Sequence, residues 1–300
     1  MQCQRAAVVA ACLLSAAAVA QESAGLRPDP PKACSSCDAW NARREPFRVH
    51  GNTYFVGVAG LSSVLITSPE GHILLDGALP QSAAPIDASI RALGFRTTDI
   101  RLIAVSHAHH DHAGGVAALQ RASGAIVAAG AGGARALEAG VPTADDPQYG
   151  LGREAMEFPP VGNVRVVADG ETLRVGPLAI TAHLTPGHTP GSTSWSWPSC
   201  DGPRCVDVVY ADSLNAVSAD GFRFGDDPPR VAAFRRSIEM VRRLPCDILL
   251  SVHPEFSNLD GRLRARREGV TPDPFIDATA CGAYADAAAR ALERRLRDER

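Results

Sequence analysis

The chain has 300 residues, of which 45% are hydrophobic and 21% are charged, and its formal net charge is −3. This composition is typical of a folded globular protein and excludes disordered, collagen-like and multi-spanning membrane chains. The mildly acidic balance, with no stripe of basic and aromatic residues, argues against nucleic acid as a partner.

The first twenty residues have the layout of an export signal. Arg5 precedes an apolar run of 15 residues that ends in the small-x-small sequence AVA. This run is short for a membrane span, and lipoprotein processing at Cys12 would leave too little apolar sequence before the cysteine. We therefore expect a signal peptide over 1–20, an N-terminal arm over 21–45 and a single domain over 46–300. The mature protein is expected to be periplasmic or secreted, with no stable membrane span.

Export would leave six cysteines, and disulfides are their expected use in an oxidising compartment. Fifteen pairings are possible for six cysteines. Spacing favours Cys200–Cys205 around a short turn, which leaves Cys246–Cys281 to link a late strand to the C-terminal helix. Cys34 and Cys37 would then close a tight local loop, with a redox or zinc motif as the alternative for this pair.

In chain order, the first half of the domain alternates strands and helices. Strands are predicted at FRVHGNTYFVGV, in both arms of SSVLITSPEGHILLDGA, at IRLIAVS and at AIVAAG, with helices at SAAPIDASIRALGF and GGVAALQRASG. The second half has strands at VRVVA, TLRV, LAITAHLTP, TSWSW, VDVVYADS and DILLSVH, a helix over 231–244 and a terminal helix from Cys281. This rhythm predicts two sheets packed face to face with helices outside.

Four of the later strands run into polar residues: IRLIAVSH, LAITAHLTPGH, VVYADS and DILLSVH. Functional side chains gather at strand carboxyl ends, where loops converge over one crevice. The first of these strands leads into SHAHHDHAGG, which places four of the nine histidines in six positions. We therefore expect one cluster made of these residues: His107, His109, Asp111, His112, His188 and His253.

Imidazole and carboxylate groups are suited to zinc, and a His-x-His pair on extended backbone presents both rings on one side. The adjacent Asp111 and His112 point in different directions and can serve a second ion. Six ligands, three per metal, leave open positions for water, whereas a structural zinc closes all four. The sequence therefore predicts two Zn²⁺ per chain in a hydrolytic layout.

The motifs HAHHDH, PGHTPGS, YADS and VHP, in this order, resemble those of the metallo-β-lactamase superfamily. The whole mature chain also resembles the secreted β-lactamases of the third metallo subclass, through GNTYFVG, GHILLDGA, ADSLNAVSADGFRF, LPCDILLSVHP and TACGAYADAAAR. The resemblance implies an α+β fold, the αβ/βα four-layer sandwich. It implies an enzyme that hydrolyses the β-lactam amide of penicillins, cephalosporins and carbapenems and confers antibiotic resistance. It also agrees with the pairings Cys200–Cys205 and Cys246–Cys281.

The resemblance carries residue roles to this chain. It implies a first zinc on His107, His109 and His188, and a second on Asp111, His112 and His253. Asp111 would also orient the attacking water. Three further residues are implied to bind substrate: Ser213 and Asn215 would hold its carboxylate, and Gln148 would line the cleft. Asn215 departs from the serine or threonine often found there. The partner expected is a β-lactam, and the expected state is a monomer.

Two other functions remain open. A lactonase or a glyoxalase-type thioester hydrolase of the same superfamily would use a carboxylate that bridges both metals, and Asp212 could be read that way, although a structural role is favoured. A non-catalytic zinc-binding protein is the second alternative. Asp76 is expected either to support the metal loop or to bind turn backbone, His110 to have a structural or supporting role, and Trp195 and Trp197 to pack in the core.

Overall fold

A computed structural model describes residues 25–300, so the predicted signal peptide and the first residues of the predicted arm lie outside the described residues. In the described part of the arm, a Cys34–Cys37 disulfide precedes one turn of helix, α1 (Cys37–Trp40). No helix of residues 25–300 combines the length and apolar character needed to cross a membrane.

The first sheet follows chain order. Its first four strands are antiparallel neighbours, and the last four, from the fourth to the seventh, run parallel. The strands are β1 (Phe47–His50), β2 (Thr53–Phe55), β3 (Val64–Ile66), β4 (His72–Leu75), β5 (Ile100–Ala104), β6 (Ile126–Gly130) and β7 (Val164–Val167). The segment FRVHGNTYFVGV forms two strands because Gly51, at a φ of +50°, reverses the chain between them.

The second sheet contains the remaining strands: β8 (Thr172–Val175), β9 (Leu178–Leu184), β10 (Thr193–Asp201), β11 (Arg204–Ala211) and β12 (Ile248–Ser251). Its order is β12-β11-β10-β9-β8, with antiparallel pairing except between β11 and β12, which are parallel. Cys200 and Cys205 face each other across the β10–β11 hairpin and form the predicted disulfide.

The remaining α-helices are α2 (Ala83–Ala92), α3 (His110–Ala113), α4 (Val116–Ser123), α5 (Ala131–Ala139), α6 (Arg153–Met156), α7 (Pro228–Arg243), α8 (Leu259–Arg267) and α9 (Ala280–Asp298). Helix α7 begins three residues before the prediction because Asp227 caps it, accepting from the backbone N–H of Arg230, with proline at the first helical position. Helices α5 and α8 were not predicted: α5 contains two glycines, and α8 is dominated by charged residues.

Three buried apolar clusters separate four layers. One lies between the first sheet and α2 and α4, with Ile86 and Leu119 among its members. The second lies between the two sheets and includes Trp195 and Trp197, which are core residues as expected. The third lies between the second sheet and α7 and α9. The predicted α+β sandwich, two facing sheets with helices outside, is confirmed. The Cys246–Cys281 disulfide ties the segment before β12 to α9.

Candidate metal centre

The two sheets meet at one edge, where β5 ends in the first sheet and β9, β11 and β12 end in the second. The backbone N–H of Thr193 donates to the carbonyl of Ser106 at 2.8 Å, and that of Ser62 donates to the carbonyl of Val252 at 2.9 Å. These bonds join the sheets directly beside His107 and His253. The chain segments that carry the predicted ligands are therefore brought to one place by sheet packing.

The HAHHDH segment is extended at first and then turns into α3. His107 and His109 lie on the extended part, and Asp111 and His112 lie in the first turn of the helix. The carbonyl of His112 accepts from the N–H of Gly77 at 2.8 Å, which holds the loop against the end of β4. Gly115 is required there because a Cβ would lie 2.3 Å from the carbonyl oxygen of Gly77.

The structure brings the three residues of the predicted first site together. A ligand atom of each of His107, His109 and His188 lies within 4.8 Å of the other two, and all three residues are buried. Their ring centroids are 4.7 to 5.1 Å apart. Rings packed this closely, edge to face, leave their nitrogen atoms around one shared point.

The residues of the predicted second site are also neighbours. Asp111 Oδ2 lies 3.2 Å from His112 Nε2 and 3.5 Å from His253 Nε2. His107 also belongs here, because its ligand atom lies within 4.8 Å of those of Asp111 and His112. The two groups of ligands are therefore contiguous and share an edge at His107.

Four of the histidines have an oxygen atom behind the ring nitrogen that faces away from the cluster. Such partners fix the tautomer and the orientation of a ligating imidazole. The pairs are His107 Nδ1 with Asp212 at 2.6 Å, His109 Nε2 with Asp146 at 3.1 Å, His188 Nδ1 with the Asn215 carbonyl at 2.9 Å, and His253 Nδ1 with the Gly60 carbonyl at 3.1 Å. The opposite nitrogen of each ring is thereby directed to the cluster.

The protonation states suit a cation. Burial lowers the pKa of His107 well below its usual value and that of His188 to about 3, so both rings are neutral, the form that binds metals. Burial opposes ionisation of Asp111, but its interactions with His112 and the neighbouring histidines together outweigh burial and hold the carboxyl pKa well below its usual range. His107 Nε2 is buried and has no hydrogen-bond partner among the described residues. Buried polar atoms of this kind need a partner, and a metal ion supplies one.

The donor set points to the kind of metal. Five imidazoles and one carboxylate are ligands that zinc prefers in proteins. Burial lowers the pKa of His112, yet the nearby carboxylates, Asp111 foremost, together outweigh burial and raise it. A divalent cation at this place would have the same attraction for Asp111. The residues present fit a metal centre.

Asp76 supports this centre from beneath. Its carboxylate accepts from the backbone N–H of Ser106 at 2.7 Å, from the Ser106 hydroxyl at 2.6 Å and from the Tyr210 hydroxyl at 2.8 Å. Burial raises the pKa of Asp76 to about 6. Ser106 directly precedes His107. By binding the backbone of Ser106, Asp76 therefore also fixes the start of the segment that carries His107, so its two expected roles coincide.

The predicted substrate-binding residues share one cleft with the ligands. The cavity is about 270 Å³, and none of the described residues that line it is lysine or arginine. Its lining comprises Trp40, His109, His110, Asp111, Gln148, Met156, His188, Ser213, Asn215, Val217, His253, Glu255 and Phe256. Burial lowers the pKa of His110 to about 4, and both its ring nitrogens lack hydrogen-bond partners among the described residues, so this ring is a neutral part of the wall.

Sequence reasoning missed three residues of this site. Asp146 lies in an irregular loop, next to the similar Asp145, and no local signal separates them. Trp40 and Gly60 both contact His253, which lies far from them in the sequence. The proximity of Trp40 to the CSSC motif was the only sequence feature that set it apart.

The fold and site together define a class of protein, an αβ/βα sandwich with a histidine-rich cluster that could hold metal at the sheet edge. A model of the metallo-beta-lactamase superfamily matches residues 56–253, and the chain belongs to that superfamily.

Solved structures of high similarity carry the name metallo-beta-lactamase. The Rm3 metallo-beta-lactamase is 52% identical, with a TM-score of 0.85, and the match covers 89% of this chain and 99% of that one. MEM-A1, a subclass B3 metallo-beta-lactamase from a soil metagenome library, is 47% identical with a TM-score of 0.83, covering 87% and 98%. These neighbours confirm the resemblance to the third subclass.

Curated relatives carry another name. The hydroxyacylglutathione hydrolase of Jannaschia sp. (strain CCS1) is 30% identical over 191 residues, which are 64% of this chain. The match spans only 61% of that hydrolase. The relationship at this level is that of the shared superfamily.

Proposed function

We propose that this protein is a zinc hydrolase that opens the β-lactam ring of penicillins, cephalosporins and carbapenems and so confers antibiotic resistance. Two zinc ions would be held by the ligands of the two sites: His107, His109 and His188 in one, Asp111, His112 and His253 in the other. We further infer that the enzyme is exported, as a monomer, to the periplasm or the medium. Its three disulfides suit an oxidising compartment.

The observation that carries the proposal is the position of Ser213 and Asn215. Both line the same cleft as His109 and His188, and Ser213 is only 3% exposed. No lysine or arginine is among the described lining residues, so the protein groups available to a substrate carboxylate beside the metals are neutral hydrogen-bond donors. The Ser213 hydroxyl and the Asn215 amide are donors of that kind.

When bound, zinc supplies Lewis acidity and lowers the pKa of a coordinated water toward neutrality. The chain's own residues do the rest. Asp111, ionised and buried, orients the attacking water toward the lactam carbonyl. Ser213 and Asn215 hold the substrate carboxylate, and Gln148 closes the cleft beside His109, whose Nδ1 lies 3.4 Å from the Gln148 amide nitrogen. Trp40, Met156 and Phe256 supply apolar wall to the cleft.

Asp212 distinguishes this proposal from the thioester-hydrolase alternative, which needs a carboxylate bridging both metals. Its Oδ1 lies 2.6 Å from His107 Nδ1, the nitrogen that faces away from the cluster. Among the described residues, Asp212 belongs to neither group of converging ligand atoms. This placement favours a role in orienting His107.

A substrate panel tests the proposal. The mature protein, loaded with zinc, is expected to hydrolyse a chromogenic cephalosporin and a carbapenem with kcat/KM at least a hundred times that for lactoylglutathione or an acyl-homoserine lactone. Chelation should abolish the activity and added zinc should restore it. A preference for the thioester or the lactone would refute the proposal. Zinc binding without turnover of any substrate would identify a non-catalytic protein.

A further inference from the structure

We propose that the N-terminal arm helps to build the metal centre. In this proposal the Cys34–Cys37 disulfide holds Trp40 in place, and Trp40 positions His253 through the loop at Gly60. Trp40 is thus a positioning residue for the second zinc. The inference rests on the proposed function in one respect, that His253 is a ligand of that zinc.

The loop 57–62 is pinned between the arm and the end of β12. The N–H of Ala59 donates to the Ala42 carbonyl at 2.8 Å, and the N–H of Gly60 donates to the Trp40 carbonyl at 3.0 Å. On its other side, the N–H of Ser62 donates to the Val252 carbonyl, next to His253. The position of the arm therefore fixes the position of this loop, and the loop in turn contacts the segment that carries His253.

Gly60 is the residue of this loop that contacts both Trp40 and His253. Its carbonyl accepts from His253 Nδ1 at 3.1 Å, the bond that leaves Nε2 free to face Asp111. A Cβ at Gly60 would lie 2.4 Å from Trp40 Cδ1 and 2.8 Å from Trp40 Cα, so only glycine permits this approach. The same arm residue therefore sets the position of the carbonyl that orients His253.

Trp40 also contacts the ligand directly. Its ring centroid lies 5.5 Å from that of His253, and Phe256 packs on the same ring at 5.2 Å. An imidazole packed against two aromatic rings, with a hydrogen bond behind it, has little rotational freedom. His107 and His109 are each oriented by a carboxylate, whereas His253 is oriented by these two rings and the Gly60 carbonyl.

The disulfide holds Trp40 in place. Helix α1 is a single turn, which is too short to be stable alone. Cys37 is 2% exposed and packs in the first apolar cluster with Val58 and Leu61, whereas Cys34 is exposed. The disulfide between them constrains the backbone just before Trp40. Holding Trp40 in position is thus a function for the otherwise unassigned CSSC motif.

The test measures zinc affinity. Competition with a fluorescent chelator gives the two zinc dissociation constants of the wild type, Trp40→Ala, Trp40→Phe and the Cys34→Ser/Cys37→Ser double variant, with folding checked by circular dichroism. We expect Trp40→Ala to weaken the second zinc about 10-fold or more and the first less than twofold. Trp40→Phe, which keeps an aromatic ring, should retain most of the wild-type affinity at the second site. The double variant should weaken the same site by a smaller factor.

Two controls separate positioning from general damage. Cys200→Ser/Cys205→Ser removes a disulfide in an exposed hairpin and should leave both affinities unchanged. In a His253→Ala background, Trp40→Ala should cause no further loss, because it acts through that ligand. Unchanged or equally weakened affinities at both sites in Trp40→Ala and in the Cys34/Cys37 variant would overturn the inference while the proposed function stands. A wild type that binds no zinc would refute both.

Discussion

The replacement of Asp146 by asparagine tests the arrangement behind the first site. Asp146 is 5% exposed; its Oδ1 accepts from the N–H of Gln148 at 2.8 Å, and its Oδ2 faces His109 Nε2 at 3.1 Å. If the new asparagine kept the bond to Gln148, its NH₂ group would face His109 Nε2, where two donors cannot pair. His109 must then lose this hydrogen bond or shift its proton to Nδ1, the nitrogen needed for the metal.

The size of the effect follows from the bond that is lost. A hydrogen bond to a charged group contributes about 1.5–3 kcal/mol. At about 1.4 kcal/mol per factor of ten, this corresponds to a zinc dissociation constant at the first site raised about 10- to 100-fold. Chelator competition measures the affinity, and initial rates at fixed free zinc measure the activity, which should recover as zinc is raised.

Asp145→Asn is the matched control, because it makes the same chemical change at the adjacent, exposed carboxylate. It should leave zinc affinity and rate within twofold of the wild type. Wild-type zinc affinity in Asp146→Asn would show that His109 does not depend on this carboxylate, and the reasoning about ring orientation would be wrong.

Three further results are expected. Ser213→Ala should raise KM for a cephalosporin about 10-fold or more, because a hydrogen bond to the charged substrate carboxylate contributes about 1.5–3 kcal/mol, and steady-state kinetics would contradict the assignment if only kcat changed. Tyr210→Phe should destabilise the fold by about 1.5–3 kcal/mol in urea titrations, because the bond to buried Asp76 is lost, and an unchanged midpoint would count against that bond. Removing Cys246–Cys281, with a sequence separation of 35, should cost about 4 kcal/mol by loop entropy, against about 2 kcal/mol for a separation of 5; the opposite ranking would disprove this entropy argument.

The ligands could be predicted from the sequence because each lies in a short motif at the end of an apolar strand. His107, His188 and His253 could be placed at one sheet edge from these motifs alone, since the carboxyl ends of the strands meet over one crevice in a fold of this class. Strands and amphipathic helices were predictable for a related reason: their periodicity is local.

The support of the site was not predictable in this way. Asp146 reaches His109 from an irregular loop 37 residues away, and the Gly60 carbonyl reaches His253 across 193 residues. Backbone acceptors leave no residue-type signal at all. Helices such as α8, LDGRLRARR, were missed because their stability comes from contacts that the sequence pattern does not record.

The most direct test of the account is the location of zinc in crystals of the mature protein, by anomalous scattering at the zinc absorption edge. The account predicts two peaks, one among His107, His109 and His188 and the other beside Asp111, His112 and His253. In His253→Ala crystals the second peak should weaken or vanish while the first remains. The absence of zinc from this cluster at saturating metal, or peaks only elsewhere on the protein, would contradict it.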